Sequence, residues 1–195
     1  MIEENNFLTE RELEVIQDDI IDSSNFPWYW TPVSTSDAYP FYCHILKSRG
    51  QEGTNSEWYD FFFPIVKRFI DKYNLFKGEY EVLRGALNDS LSFDDKHGDP
   101  HVDFREEHLG FIVYLTDSSG DTNFYKKKWE KGQPPELFNR DGHPELEIEK
   151  SISPKQGKIV CYNGLHYHSI DWKKLNERRV ICIFAIKGEQ NGVVL

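Results

Sequence analysis

Residues 97–103 read HGDPHVD and hold two overlapping His-x-Asp pairs, His97 with Asp99 and His101 with Asp103. Imidazole and carboxylate both ligate divalent metals, and either pair could equally cap a turn or stand in solvent. A second histidine segment, YNGLHYHSIDW, places His166 and His168 just after a run of strand character, with His168 65 positions beyond Asp103. Two histidines and one carboxylate can occupy one face of an octahedral ion and leave three positions open. That arrangement suits non-haem Fe(II), which must bind a co-substrate and O2 together. Residues two apart in an extended segment point the same way, so His101 and Asp103 can converge.

These residues need a rigid frame, and the patterning supplies one. Thr9 with Glu12 fits a capping box opening a helix to about residue 22, and Thr54 with Glu57 fits another. The second opens SEWYDFFFPIVKRFIDKY, where Trp58, Phe61, Phe62, Ile65, Val66, Phe69, Ile70 and Tyr73 recur at helical spacing. Pro64 predicts a kink or a second start there. This aromatic stripe is expected to pack on a sheet. Past residue 78 the period changes to short runs rich in β-branched and aromatic residues: EYEVLRGALN, LGFIVYLTD, DTNFYKK, LEIEKSISP, GKIVCYNG and RRVICIFAI. Such strands without helices between them predict a sandwich or barrel. The polar, proline-bearing stretch over 126–147 is either an excursion or a lid.

The chain has 195 residues, 38% hydrophobic and 29% charged, which fits one globular domain with a real core. No repeat or linker divides it. The net charge of −10 argues against nucleic acid as a partner. No run approaches the ~20 apolar residues of a membrane span, and the acidic start MIEENNFLTERELEV lacks a signal-peptide pattern. Cys43, Cys161 and Cys182 show no CxxC spacing, and the latter two sit in apolar runs as small hydrophobes. A cytoplasmic location is expected.

Taken in order, PHVDF, FIVYLTDSSGDTNFY, PKQGKIVCYNGLHYHS and ERRVICIF resemble the Fe(II)/2-oxoglutarate-dependent oxygenases. The resemblance spans about residues 80–186 and is nearest the prolyl-hydroxylase-like branch with its small phage and cyanobacterial members; NFPWYW and the aromatic helix resemble N-terminal features of the phage type. It implies a mainly β fold: a double-stranded β-helix (jelly-roll, cupin-like) core over 79–188, flanked by a helical and aromatic N-terminal support over 1–78. It implies Fe(II) as the metal, held by His101, Asp103 and His168, with His166 the competitor for the distal position. It places a basic residue about ten positions after that histidine to hold the far carboxylate of 2-oxoglutarate. That residue is Arg178, on the reading that Val180 and Cys182 share the cofactor face; Arg179 would point to the opposite one. Tyr114 matches a tyrosine that donates its hydroxyl to the same carboxylate, and SSGDTNF stands where GGET.F is usual.

The activity implied is hydroxylation of an unactivated C–H of a small molecule or peptide, with prolyl and amino-acid substrates as candidates. 2-Oxoglutarate and O2 are consumed and succinate and CO2 released. Asp103 stands where halogenating members carry a small residue, which implies hydroxylation or a related oxidation. Nucleic-acid dealkylating members carry a second arginine where this chain has Phe184. The alternatives are a non-catalytic, cupin-like metal- or ligand-binding protein and a His/Asp/His zinc hydrolase, which needs no arginine at that position. For His44, His108 and His143 the expectation is an ordinary structural role. The aromatic stretch over 25–42 and the 126–147 segment are expected to wall and cover the site.

Overall fold

A computed structural model of the chain describes residues 1–32, 40–90, 96–137, 146–172 and 178–192, with the side chains of Lys96, His97 and Trp172 outside the description. The strands are β1 (Ile2–Glu4), β2 (Tyr29–Thr31), β3 (Phe41–Lys47), β4 (Phe76–Ser90), β5 (Lys96–His97), β6 (Leu109–Tyr114), β7 (Thr122–Lys128), β8 (Ile148–Ile152), β9 (Ile159–Asn163), β10 (His166–Trp172) and β11 (Arg179–Gln190). Two helices accompany them, α1 (Glu10–Ile16) and α2 (Trp58–Tyr73). The larger sheet runs β1-β9-β6-β11-β4-β3-β2 and the smaller β5-β10-β7-β8. From β4 onward the chain passes back and forth, so that β4, β6, β9 and β11 form one wall and β5, β7, β8 and β10 the other. Every pairing is antiparallel. This is the double-stranded β-helix.

The period of two decides what each wall buries. On the outer face of the large sheet, Phe111, Val113, Cys161, Val180, Cys182 and Phe184 pack with Phe62, Ile65 and Phe69 of α2. Each such aromatic, fully buried, contributes about 2–3 kcal/mol of transfer free energy. On the inner face Ile112, Tyr114, Val160, Tyr162 and Ile181 meet Phe124 and Ile152 of the small sheet. The large sheet is therefore apolar on both sides.

The helices fall in the first half, and the Thr9–Glu12 capping box is present. The α1 helix continues as a π-helical turn over Gln17–Ile21, matching the expected end near residue 22. The Thr54–Glu57 box does not form. Asn55 is tied back to the end of β3, its N–H donating to the Leu46 carbonyl and its side chain accepting from Ser48. Ser56 Oγ instead accepts from the Trp58 N–H, and α2 runs from there through Pro64. Residues 1–78 also hold more than helices: β1 pairs with β9, and β3 with β4, extending the large sheet at both edges. The jelly-roll strands run from Phe76 to Gln190, slightly wider than 79–188. All three cysteines are free and buried. Among the described residues no helix is long and apolar enough to cross a membrane.

Candidate functional site

His101 and His168 face each other across the inner opening of the barrel. His168 lies on β10, and two backbone hydrogen bonds of 2.9 Å, His101 N–H to the His168 carbonyl and the reverse, fix them as an antiparallel pair. Their rings are 4.6 Å apart. His101 Nδ1 lies 3.0 Å from the Asp99 carbonyl, and His168 Nδ1 3.1 Å from the His166 carbonyl. A carbonyl only accepts, so each Nδ1 carries a proton, and Nε2 is the nitrogen that faces the group. Orientation of a metal-binding imidazole by such an outer contact is a common requirement.

Asp103 completes the group, with Oδ2 3.7 Å from His168 Nε2. Burial opposes its ionisation, but His168, His101, Arg84 and Arg49 around it outweigh that and hold the carboxyl down at about 2. Burial, then repulsion from His101, pushes His168 down to about 4, so its ring is neutral at neutral pH. Two imidazoles and an ionised carboxylate are a donor set suited to a borderline divalent ion. Cis donors on an octahedral ion at ~2.1 Å stand about 3 Å apart, closer than Asp103 Oδ2 and His168 Nε2 stand here. Among the described residues no group of three His, Cys, Asp or Glu side chains stands placed to hold a metal ion as it is, so His101, Asp103 and His168 would have to draw in around one.

The trio lines a cavity of about 260 Å³ whose far end holds a buried arginine, and that arginine is Arg179. Arg179 Nε donates to the Gly120 carbonyl at 3.0 Å and Nη2 to Thr122 Oγ1 at 2.7 Å. Arg178 lies elsewhere: Nε and Nη2 grip Asp89 Oδ2 at 3.1 and 2.7 Å, and Nη1 donates to the Ile21 carbonyl. The reading that put Arg178 on the cofactor face is corrected by strand phase. Ile181 is paired with Tyr114 and shares its inward face, so Arg179, Ile181 and Ile183 face the cavity. Val180 and Cys182 point into the helix-side core. A one-residue shift in phase exchanges the two faces entirely.

Tyr114 is fully buried beneath Arg179, whose guanidinium carbon is 5.7 Å from its ring centroid. Its hydroxyl meets Thr122 Oγ1 at 2.8 Å and is not part of the cavity lining. Thr122 is the residue that sequence reasoning passed over. The signal was present, because Thr122 is the threonine of SSGDTNF. His166 is set apart by a bulge between it and His168, which turns its Nδ1 onto the Tyr125 carbonyl at 2.8 Å and toward Glu149. Both histidines are in β10, not in a turn after β9. Tyr162 and Phe124 collar His168, with ring centroids 5.2 and 5.9 Å from it.

His44 is a satisfied core residue between the Pro27 carbonyl and Ser56 Oγ. His108 is buried against Phe104, and its Nδ1 meets the Glu106 carbonyl. The His97 side chain and His143 lie outside the described residues. Of the expected walls, Phe41 lines the cavity, whereas Tyr29 and Trp30 stand exposed on the edge strand β2. Residues 129–137 run beside His101: Val102 N–H donates to the Pro135 carbonyl, Leu137 N–H to the Pro100 carbonyl, and Glu136 joins the lining. Residues 33–39 and 138–145 lie outside the description.

No protein-family model matches the chain, and no curated protein sequence matches it. Solved structures do. An oxidoreductase of the 2OG-Fe(II) oxygenase family from Burkholderia pseudomallei superposes with TM-score 0.64 at 14% identity, over 94% of this chain and 82% of that one. The viral collagen prolyl hydroxylase of Paramecium Bursaria Chlorella virus-1, solved with 2-oxoglutarate, gives 0.56 at 13%, over 96% and 95%. The epimerase SnoN, solved with Fe3+, α-ketoglutarate and nogalamycin RO, gives 0.66 at 12%, over 96% and 78%. The chain has the fold of these oxygenases.

Proposed function

We propose that the protein is an Fe(II)- and 2-oxoglutarate-dependent oxygenase acting on a small molecule or peptide. The observation that carries this reading is one cavity with two unlike ends: His101, Asp103 and His168 at one, and the buried Arg179–Thr122 pair at the other. His101, Asp103 and His168 are the residues that would hold the metal. Iron with 2-oxoglutarate and O2 supplies oxidation of an unactivated C–H, with loss of succinate and CO2.

The protein's own groups have separate tasks. Asp103 offers a fixed negative charge, and His168 offers its lone pair without needing to lose a proton. Arg179 receives the far carboxylate of 2-oxoglutarate; two of its five N–H donors are used by Gly120 and Thr122, which aim the fork. Thr122 Oγ1 can accept from Arg179 and Tyr114 together, which leaves its own O–H to donate into the cavity. Tyr114 then acts through Thr122 and does not touch the co-substrate. Ile112, Ile181, Ile183 and Tyr162 supply the apolar part of the wall. Hydroxylation is the outcome we favour, because a carboxylate occupies the third metal position. Related folds also serve an epimerase and a carbocyclase.

The test is anaerobic addition of Fe(II) and 2-oxoglutarate, followed by O2. A weak visible charge-transfer band and O2-dependent succinate are expected, with succinate stimulated by a member of an amino-acid and peptide panel. A protein that gives neither band nor succinate is not an oxygenase, and a cupin-like binding role would take its place.

A further inference from the structure

Arg49, just past β3, and Arg84, on β4, both line the cavity on the Asp103 side, away from Arg179. Arg49 Nη2 is 3.6 Å and Arg84 Nη1 3.9 Å from the same atom, Asp103 Oδ1. Both distances are too long for hydrogen bonds. Among the described residues neither guanidinium has another carboxylate within ion-pair reach. Arg84 is mostly buried, and Arg49 is laid on the face of Phe104 at 4.6 Å, so neither is a freely solvated surface charge. Two cations thus converge on one carboxylate that the metal site also needs.

Charge sharpens the point. The lining carries three arginines, Arg49, Arg84 and Arg179, against Asp103 and Glu136, in a protein of net charge −10. A divalent metal and the 2-oxoglutarate dianion cancel each other, so the cavity keeps one uncompensated positive charge. Planar guanidinium forks are matched to the two oxygens of a carboxylate.

We propose that Arg49 and Arg84 form the recognition subsite for a carboxylate on the primary substrate, which is a small organic acid. The proposal rests on the oxygenase reading for the identity of the site. The cavity of about 260 Å³ must also admit 2-oxoglutarate, which favours a compact acid over a drug-sized ligand.

The experiment is calorimetric titration of the Mn(II)-loaded protein, with and without saturating 2-oxoglutarate. The ligands are free amino acids and N-acetyl amino acids, each paired with its carboxamide. At least one acid should bind tenfold or more tightly than its carboxamide. Arg49→Gln and Arg84→Gln should each weaken that acid at least fivefold and leave the 2-oxoglutarate Kd within twofold. Arg49 lies outside the strands and is half-exposed, so Arg49→Gln keeps the test available if Arg84→Gln does not fold. Equal binding of acid and carboxamide, or no acid binding at all, overturns the subsite. So does a loss of 2-oxoglutarate affinity in Arg84→Gln matching that in Arg179→Gln, since the pair would then serve the co-substrate. If 2-oxoglutarate does not bind the wild type but acids are still preferred over carboxamides, the oxygenase reading falls and the subsite stands.

Discussion

Arg178 and Arg179 are identical in chemistry and opposite in placement, and substitution should separate them. Removing Arg178 leaves the buried Asp89 carboxylate without its cation; Arg178→Ala should lower stability by about 1–3 kcal/mol, seen as a lower denaturant midpoint. Its 2-oxoglutarate Kd should stay within twofold. Arg179→Gln should weaken 2-oxoglutarate at least tenfold, the effect of losing one charge-assisted hydrogen bond of about 1.5–3 kcal/mol. The reverse pattern would restore Arg178 as the co-substrate residue. His168 makes a pH prediction at the same scale. Its folded-state value of about 4 lies below the unfolded ~6.5, so between these the unfolded chain takes up a proton that the native ring refuses. Stability of the metal-free protein should therefore fall as pH drops from about 6.5 to 4, by at most about 1.4 kcal/mol per unit. Asp103, held at about 2, adds a loss in the same direction only below ~4. Urea midpoints at pH 7 and 5 measure the first effect, and His168→Gln should flatten it.

Between elements the β6–β9 contact is a tight constraint. Gly110 is paired with Tyr162, and a Cβ on it would stand 2.3 Å from the buried Tyr162 ring. That ring walls the cavity beside His168, so an added methyl would push it toward the cavity and His168. Gly110→Ala should cost about 1–3 kcal/mol by overpacking and weaken Mn(II) binding through the His168 collar; titration of the folded fraction separates the two effects. Most strands were legible as runs of β-branched residues bounded by turn formers, and α2 as an aromatic stripe. The phase of β11 was not. In RRVICIFAI both faces are apolar because helices cover one side of the large sheet and the small sheet the other, so alternation carries no sign of which side is inside. Strand β10, HYHSIDW, escaped because it is polar, and its bulge is what separates His168 from His166. The resemblance put forward His101, Asp103 and His168, which the structure brings to one cavity; which of the two arginines lines it needed the register.

At the scale of the whole molecule, the two walls meet at the cavity through Arg179 and Tyr114 on Thr122 and through Tyr162 on His168, and bound ligands would add to these links. His101 and His168 belong to the small-sheet side and Arg179 to the large sheet, so, on the proposed reading, a metal would be held on one wall and 2-oxoglutarate would bridge to the other. Ligands that bind only the native state stabilise it by mass action, about 2.7 kcal/mol at one hundred times Kd. For a chain of this size that corresponds to roughly 5–10 °C in Tm. Mn(II) alone should therefore raise Tm, and 2-oxoglutarate should add a further rise only when Mn(II) is present, because its chelating end has no partner without the ion. EDTA should return the curve to its starting point. Arg179→Gln should keep the Mn(II) increment and lose the 2-oxoglutarate one, whereas Asp103→Ala should lose both. A rise produced by 2-oxoglutarate without metal would mean that Arg179 and Thr122 suffice for binding, and would break the two-ended reading of the cavity.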